Sequence, residues 1–193
     1  MLALLFLFRK TLLKSLPAAS SPLSSASARE WDPGVIRPGT RVTLRGLRSQ
    51  AARNGEAGSV SSYDAGKVRY SVALSSGETL SLSPLNLRQR PAVTLRNLES
   101  AGALNGSAGS VVSFDEEKGR YNVHLPAQRR TIALRPGNVL LARGTVARTA
   151  GLVREGHNGR WGTVGRYDDA AGRVELRMSA QSTIKVKLEN LIV

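Results

Sequence analysis

The sequence predicts an all-β chain in which one small five-stranded barrel is written three times behind an N-terminal leader. Three observations predict it. A block of residues recurs at offsets of 51 and then 53 along the 193-residue chain. Within each copy, short runs of alternating apolar and polar residues are separated by Gly, Asn, Ser and Pro, which favour turns. No segment of about 12 residues in the copies carries a helical period. Aromatic residues make up only 5% of the chain, so the core has to come from Val, Leu, Ile and Ala. With no cysteine, disulfides, thiolate metal sites and cysteine nucleophiles are excluded.

Residues 1–31 read as an address label. Leu2–Phe8 is apolar, Arg9, Lys10 and Lys14 follow, and no acidic residue appears before Glu30. Leu5, Phe8, Leu12 and Leu16 fall on one helical stripe with the bases off it, the pattern of a mitochondrial presequence. A secretory signal would place its charges ahead of the apolar run. A membrane-spanning helix needs about 20 apolar residues, and this run has seven before Arg9. The Ser-rich second half keeps a plastid transit peptide as the alternative. The expected location is therefore the mitochondrial matrix, with no transmembrane segment. Residues 32–37 form a lead-in, with Trp31 at its edge as a residue to pack across a joint.

The copies align residue by residue. Val42-Thr43-Leu44-Arg45 matches Val93-Thr94-Leu95-Arg96, and Asn54-Gly55 matches Asn105-Gly106 and Asn158-Gly159. Gly58-Ser59-Val60, Gly109-Ser110-Val111 and Gly162-Thr163-Val164 share a register, followed by Tyr63-Asp64, Phe114-Asp115 and Tyr167-Asp168. Leu85-Asn86-Leu87, Gly137-Asn138-Val139 and Glu189-Asn190-Leu191 close them. In the first copy, Arg41–Leu44 alternates as a strand and a long loop leads to the Asn54-Gly55 turn. Ser59–Tyr63 is the second strand, Asp64–Lys67 a turn and Val68–Leu74 the third strand. Ser75-Ser76-Gly77 turns into Thr79–Leu82, and Ser83-Pro84-Leu85-Asn86 is a kink before the last strand at Leu87. Five short strands with one long first loop describe a small Src-homology-3-like barrel.

The expected units are residues 38–87, 91–141 and 142–193, with 88–90 as a linker. Each has about 50 residues and is marginal alone, so neighbours should dock into a compact, rigid rod or arc. A kelch-type propeller has a similar period, but closing one takes roughly four to eight blades.

The pattern Asn-Gly-x-x-Gly-x-Val-x-x-Phe/Tyr-Asp, then Gly-Arg-Tyr-x-Val, then a closing Asn-Leu, resembles a repeat seen in many algal and protist proteins. That resemblance covers residues 38–193. Over Gly58–Leu74 and its counterparts the chain also resembles the KOW-type motif of ribosomal and transcription-elongation proteins. Such barrels bind RNA in some families and peptides or proteins in others, so the resemblance implies a binding module and leaves its ligand open.

Catalytic chemistry finds little support. The Asn-Gly-x-x-Gly element could cradle phosphate or act as a KH-type clamp, but a strand follows it at once, which suits two positive-φ turn positions. Asn105-Gly106-Ser107 fits a glycosylation acceptor, while its counterparts at Asn54 and Asn158 do not. Tyr63, Phe114 and Tyr167 share one register, as do Tyr70 and Tyr121; core filling suits them better than base stacking. Asp64, Asp115, Asp168 and Asp169 sit in hairpin turns. His124 and His157 fall at unlike positions, and no metal-ligand spacing, nucleophile triad or Walker loop is present. The expectation is a non-enzyme with no cofactor, no metal and no small-molecule substrate.

Basic residues remain. Beyond residue 31 the chain carries 24 Lys and Arg against 13 Asp and Glu, a net +11. The third copy holds nine bases against five acids, and its first loop sets Arg148, Arg154 and Arg160 around Trp161, with Arg166 beyond. Trp161 has no aromatic counterpart (Ala57, Ala108), which marks it for a surface contact. Arg45, Arg48 and Arg53 in the first copy, and Arg129 and Arg130 in the second, complete the candidate contact set. Arginine suits bidentate contact with phosphate, although a face of solvated arginines is the plainer alternative. The expected function is a structural subunit binding RNA phosphate in a mitochondrial ribosome-like assembly. The alternative is a protein-interaction scaffold or accessory subunit of a mitochondrial membrane complex such as a respiratory complex.

Overall fold

The structure is a computed structural model that describes residues 32–193; the leader and Trp31 lie outside the described residues. Three five-stranded antiparallel sheets make up the fold. The first contains β1 (Arg41–Leu44), β2 (Ala57–Asp64), β3 (Arg69–Leu74), β4 (Thr79–Leu82) and β5 (Leu87–Gln89). The second contains β6 (Ala92–Leu95), β7 (Ala108–Asp115), β8 (Arg120–Leu125), β9 (Arg130–Leu134) and β10 (Val139–Leu141). The third contains β11 (Val146–Thr149), β12 (Trp161–Asp168), β13 (Arg173–Arg177), β14 (Thr183–Val186) and β15 (Leu191–Ile192). Each sheet is a four-strand meander whose fifth strand returns to pair with the first, giving the order β4-β3-β2-β1-β5 and its two equivalents. The last two strands of each unit thus form the edges of its ladder.

The long second strand of every unit bends at the same place. Register shifts fall between Val60 and Ser62, between Val111 and Ser113, and between Val164 and Tyr167. An extra residue there sharpens the twist, so both halves of the strand wrap one core. The second glycine of Asn-Gly-x-x-Gly makes this wrap possible. A β-carbon on Gly58 would lie 2.6 Å from Val72 Cγ1, on Gly109 2.9 Å from the His124 carbonyl oxygen, and on Gly162 2.7 Å from the Arg177 carbonyl oxygen. Only the first glycine of the element has positive φ, at Gly55, Gly106 and Gly159. The expectation of two positive-φ positions is corrected: the second glycine is there for close strand approach.

Val68 departs from its sequence reading as the start of the third strand. It lies in the turn before β3 with φ of 52° and is 55% exposed. Gly119 and Gly172, at φ of 59° and 61°, hold the same place in the other two units. The turn requires a left-handed residue, and that requirement overrides the strand preference of valine.

The asparagines of the repeat are stitches. Asn54, Asn105 and Asn158 each accept the backbone N–H of Leu47, Leu98 or Leu152 at 2.8–2.9 Å and donate to the same residue's carbonyl at 2.8–3.0 Å. The closing Asn86, Asn138 and Asn190 donate to the carbonyls of Arg45, Arg96 and Ala150. Both ends of each long first loop are thereby fastened to its own sheet.

Packing between units joins residues far apart in sequence. The second and third sheets share one core, in which Val123, Leu125, Val139, Val174, Leu176 and Leu191 are all buried to 1% exposure or less. Tyr121, 1% exposed, donates its hydroxyl to the Leu191 carbonyl at 2.9 Å and accepts the Val193 N–H at 3.1 Å. The first sheet has its own core, completed by Val35 and Ile36 of the lead-in and by Val146 of the third unit. Tyr70 accepts the Ile36 N–H at 3.0 Å, so the lead-in occupies on the first sheet the place β15 takes on the second. The Gln89 side-chain amide pairs with both backbone groups of Val146, at 2.9 and 3.2 Å. Thr163 donates to the Pro33 carbonyl at 2.7 Å. Unit one therefore touches unit three directly, so beyond the docking of chain neighbours expected for a rod or arc, the first and third units also pack on each other.

Candidate nucleic-acid interface

In the third unit, β11 and β12 set Arg148 directly opposite Trp161. In an antiparallel pair such residues point to the same face with their side chains in reach of each other. Arg148 also lies opposite Ile192 on β15. Trp161 is 49% exposed, unusual for so large an apolar ring. Arg160 precedes it and is exposed. Its backbone is held by Thr149, whose N–H donates to the Arg160 carbonyl at 3.0 Å and whose hydroxyl accepts the Arg160 N–H at 3.2 Å. The same hydroxyl donates to the His157 carbonyl, pinning the loop over a buried position. Thr149 stands where Leu44 and Leu95 stand in the other sheets, so this unit exchanges a core leucine for a loop anchor. Arg154 is exposed earlier in the loop and Arg166 is exposed at the β12 bulge.

The other predicted residues belong to other sheets. Arg48 is exposed in the first loop of unit one, where Arg45 donates from Nε to the Leu85 carbonyl at 3.2 Å. Arg53 is committed elsewhere: it pairs with Glu78 at 2.6 Å and Glu56 at 3.7 Å. Arg129 and Arg130 are exposed at the β8–β9 hairpin, Arg129 with φ of 49°. The structure brings Arg148 and Trp161 together, places Arg160 at the entry to the same strand, and leaves Arg45, Arg48, Arg53, Arg129 and Arg130 on the first and second units.

The shared aromatic register fills space beside the core. Tyr63 contacts Tyr70 with ring centroids 4.7 Å apart, and Phe114 contacts Tyr121 at 5.0 Å. In unit three Val174 replaces the second ring. There Arg96 of unit two lies over the Tyr167 ring at 4.6 Å and ion-pairs with Asp169. Burial raises the pKa of the Tyr70 and Tyr121 hydroxyls above the ordinary phenol value, so both remain neutral donors and acceptors.

A second basic locus escaped the sequence reading. Arg37, Arg41, Arg90, Arg143 and His124 line a cleft of about 1280 Å³ where the three units meet, and no carboxylate lines it. Equivalent strand segments also line it: Ala57-Gly58-Ser59 of β2 and Ala108-Gly109-Ser110 of β7. Arg37 crosses between units, its Cδ 3.8 Å from where a β-carbon on Gly144 would sit. The available signal was position: Arg90 and Arg143 flank the joints between copies, and Arg37 and Arg41 flank the entry to the first copy. Among the described residues no group of three His, Cys, Asp or Glu is placed to hold a metal ion, and no helix is long and apolar enough to cross a membrane.

No family model and no curated protein matches the chain.

Proposed function

We propose that the protein is a non-enzymatic structural subunit that binds RNA phosphate in an organellar, mitochondrial ribosome-like assembly. One observation carries the reading: an exposed Trp161 at the start of β12, opposite Arg148 on β11, next to an arginine-bearing loop that Thr149 and Asn158 fasten by hydrogen bonds. A half-exposed indole offers a face on which a base can stack, and the guanidinium of Arg148 across from it suits an adjoining phosphate. Binding of this kind weakens steeply as salt rises, by counterion release. The test is a salt titration of mixed RNA against the full chain. Affinity is expected to fall steeply between 50 and 200 mM salt, and Trp161→Ala to cost about 5- to 100-fold. Salt-insensitive or absent binding would rule this function out.

A second reading is favoured by different residues. Val153 is fully exposed and Leu85 is 79% exposed, and neither serves a phosphate. Apolar side chains held out from a rigid fold suit a protein partner, as in a scaffold or accessory subunit of a mitochondrial membrane complex. Salt-insensitive copurification of a protein partner, lost in Val153→Ser, would support it over RNA.

A further inference from the structure

We infer that the cleft where the units meet is a second binding site, and that its ligand is a single RNA strand held through its phosphates. This rests on the RNA reading above but on none of the same residues. Four arginines and one histidine line the cleft without a carboxylate to offset them. Clefts lined by one sign of charge focus the field and draw in ligands of the other sign.

The volume, about 1280 Å³, exceeds the roughly 300–1,000 Å³ of ordinary small-molecule pockets and leaves room for several nucleotides of a strand. Both strand segments present Ala, Gly and Ser, so a chain can approach the protein backbone closely. The lining contains no Phe, Tyr or Trp and no exposed large aliphatic side chain; His124 supplies its one ring. An acidic peptide would need such anchors to bind well. With four arginines and a single small ring, the cleft is built to read charge along a backbone more than sequence. Its arginines come from the lead-in, the first strand and both joints between units, which suits a flexible strand laid among them; a duplex is met across its outer surface by shape.

The test uses the full chain, a labelled 12-mer of poly-uridylate and a salt titration. Four phosphate contacts on a single strand give a slope of log affinity against log salt near −3, about a 50-fold loss from 50 to 200 mM. Arg90→Gln combined with Arg143→Gln is expected to lower affinity at least tenfold and to flatten that slope by about 1.4. Ala57→Glu combined with Ala108→Glu puts carboxylates on two exposed lining positions, keeps all four arginines, and should lose at least as much. The same losses are expected in a Trp161→Ala background, because the two sites share no residue.

Unchanged affinity in Ala57→Glu/Ala108→Glu overturns the cleft site and leaves the RNA reading intact. Absence of salt-sensitive binding by the unaltered chain overturns both. A 12-base-pair duplex that competes as well as the single strand overturns the strand assignment. Poly-glutamate that competes as well overturns the choice of RNA over an acidic peptide.

Discussion

Val68, Gly119 and Gly172 occupy one turn position in three copies, and all three have φ between 52° and 61°. A β-branched residue in the left-handed region costs roughly 1–2 kcal/mol, because its Cβ crowds the following carbonyl. Val68 is also 55% exposed, so little packing offsets that strain. Val68→Gly is therefore expected to stabilise the protein by about 1 kcal/mol, somewhat less than the strain relieved because glycine gains freedom in the unfolded chain. A higher urea midpoint with an unchanged slope is the readout; a lower one would mean that the valine side chain packs usefully. The residue was misread because a Val-Arg-Tyr-Ser-Val run carries high strand propensity when taken alone. Its alignment with two glycines at offsets of 51 and 53 held the better signal. Gly58, Gly109 and Gly162 teach the converse lesson. Their recurrence was plain, but the strand crossing that demands them is a tertiary fact, and a turn was the nearest local explanation.

At the level of the hairpin, the β2–β3, β7–β8 and β12–β13 turns are each closed by an aspartate. Asp64, Asp115 and Asp168 accept the backbone N–H of the residue three positions on, at 3.0–3.1 Å. The Lys118 N–H holds the Asp115 carboxyl below the usual carboxylate range, and the Ala171 N–H does the same for Asp168. A carboxylate with a depressed folded-state pKa stabilises the fold above its unfolded value, near 3.9, and loses that contribution as pH falls through the folded value. The second and third hairpins should therefore loosen on acidification below about pH 4. Asp115→Asn keeps an acceptor but cannot titrate, so it should remove that step at its own turn. Hydrogen exchange at the Lys118 amide, followed from pH 6 to pH 3, checks it; protection that does not change with pH would refute it. The strands themselves were legible because their apolar period of two and their Gly, Asn and Asp turns agree locally. The asparagine stitches were visible as recurring letters but not as contacts, since each bonds a backbone seven residues or more away in two of the copies.

Across the whole molecule, the buried Gln89 side chain joins units one and three by satisfying both backbone groups of Val146. Gln89→Leu would leave a buried N–H and a buried carbonyl unpaired, at roughly 1–3 kcal/mol for each group. A loss of about 2–4 kcal/mol is expected, with a lower melting temperature and increased protease sensitivity near Val146. A change under 0.5 kcal/mol would mean that water replaces the amide and the joint is loose. None of this weld could be read beforehand, because Gln89 matches Leu141 and Val193 in the other units and departs from them without any local reason. The candidate site divides the same way. Trp161 was legible because it departs from the repeat, whereas the cleft arginines lie at the lead-in, a strand start and the two joints, scattered along the chain and gathered only when the units meet.

The meeting of the ends also sets an order of events during synthesis. The ribosome delivers the lead-in and the first sheet early, yet their core waits for Val146, and Pro33 waits for Thr163, 130 residues later. The second sheet likewise waits for Leu191 to receive the Tyr121 hydroxyl, 70 residues on. A linear array can finish each repeat as it emerges. Here the first repeat made is among the last completed, so the nascent chain carries two unfinished apolar faces until the third repeat is nearly out.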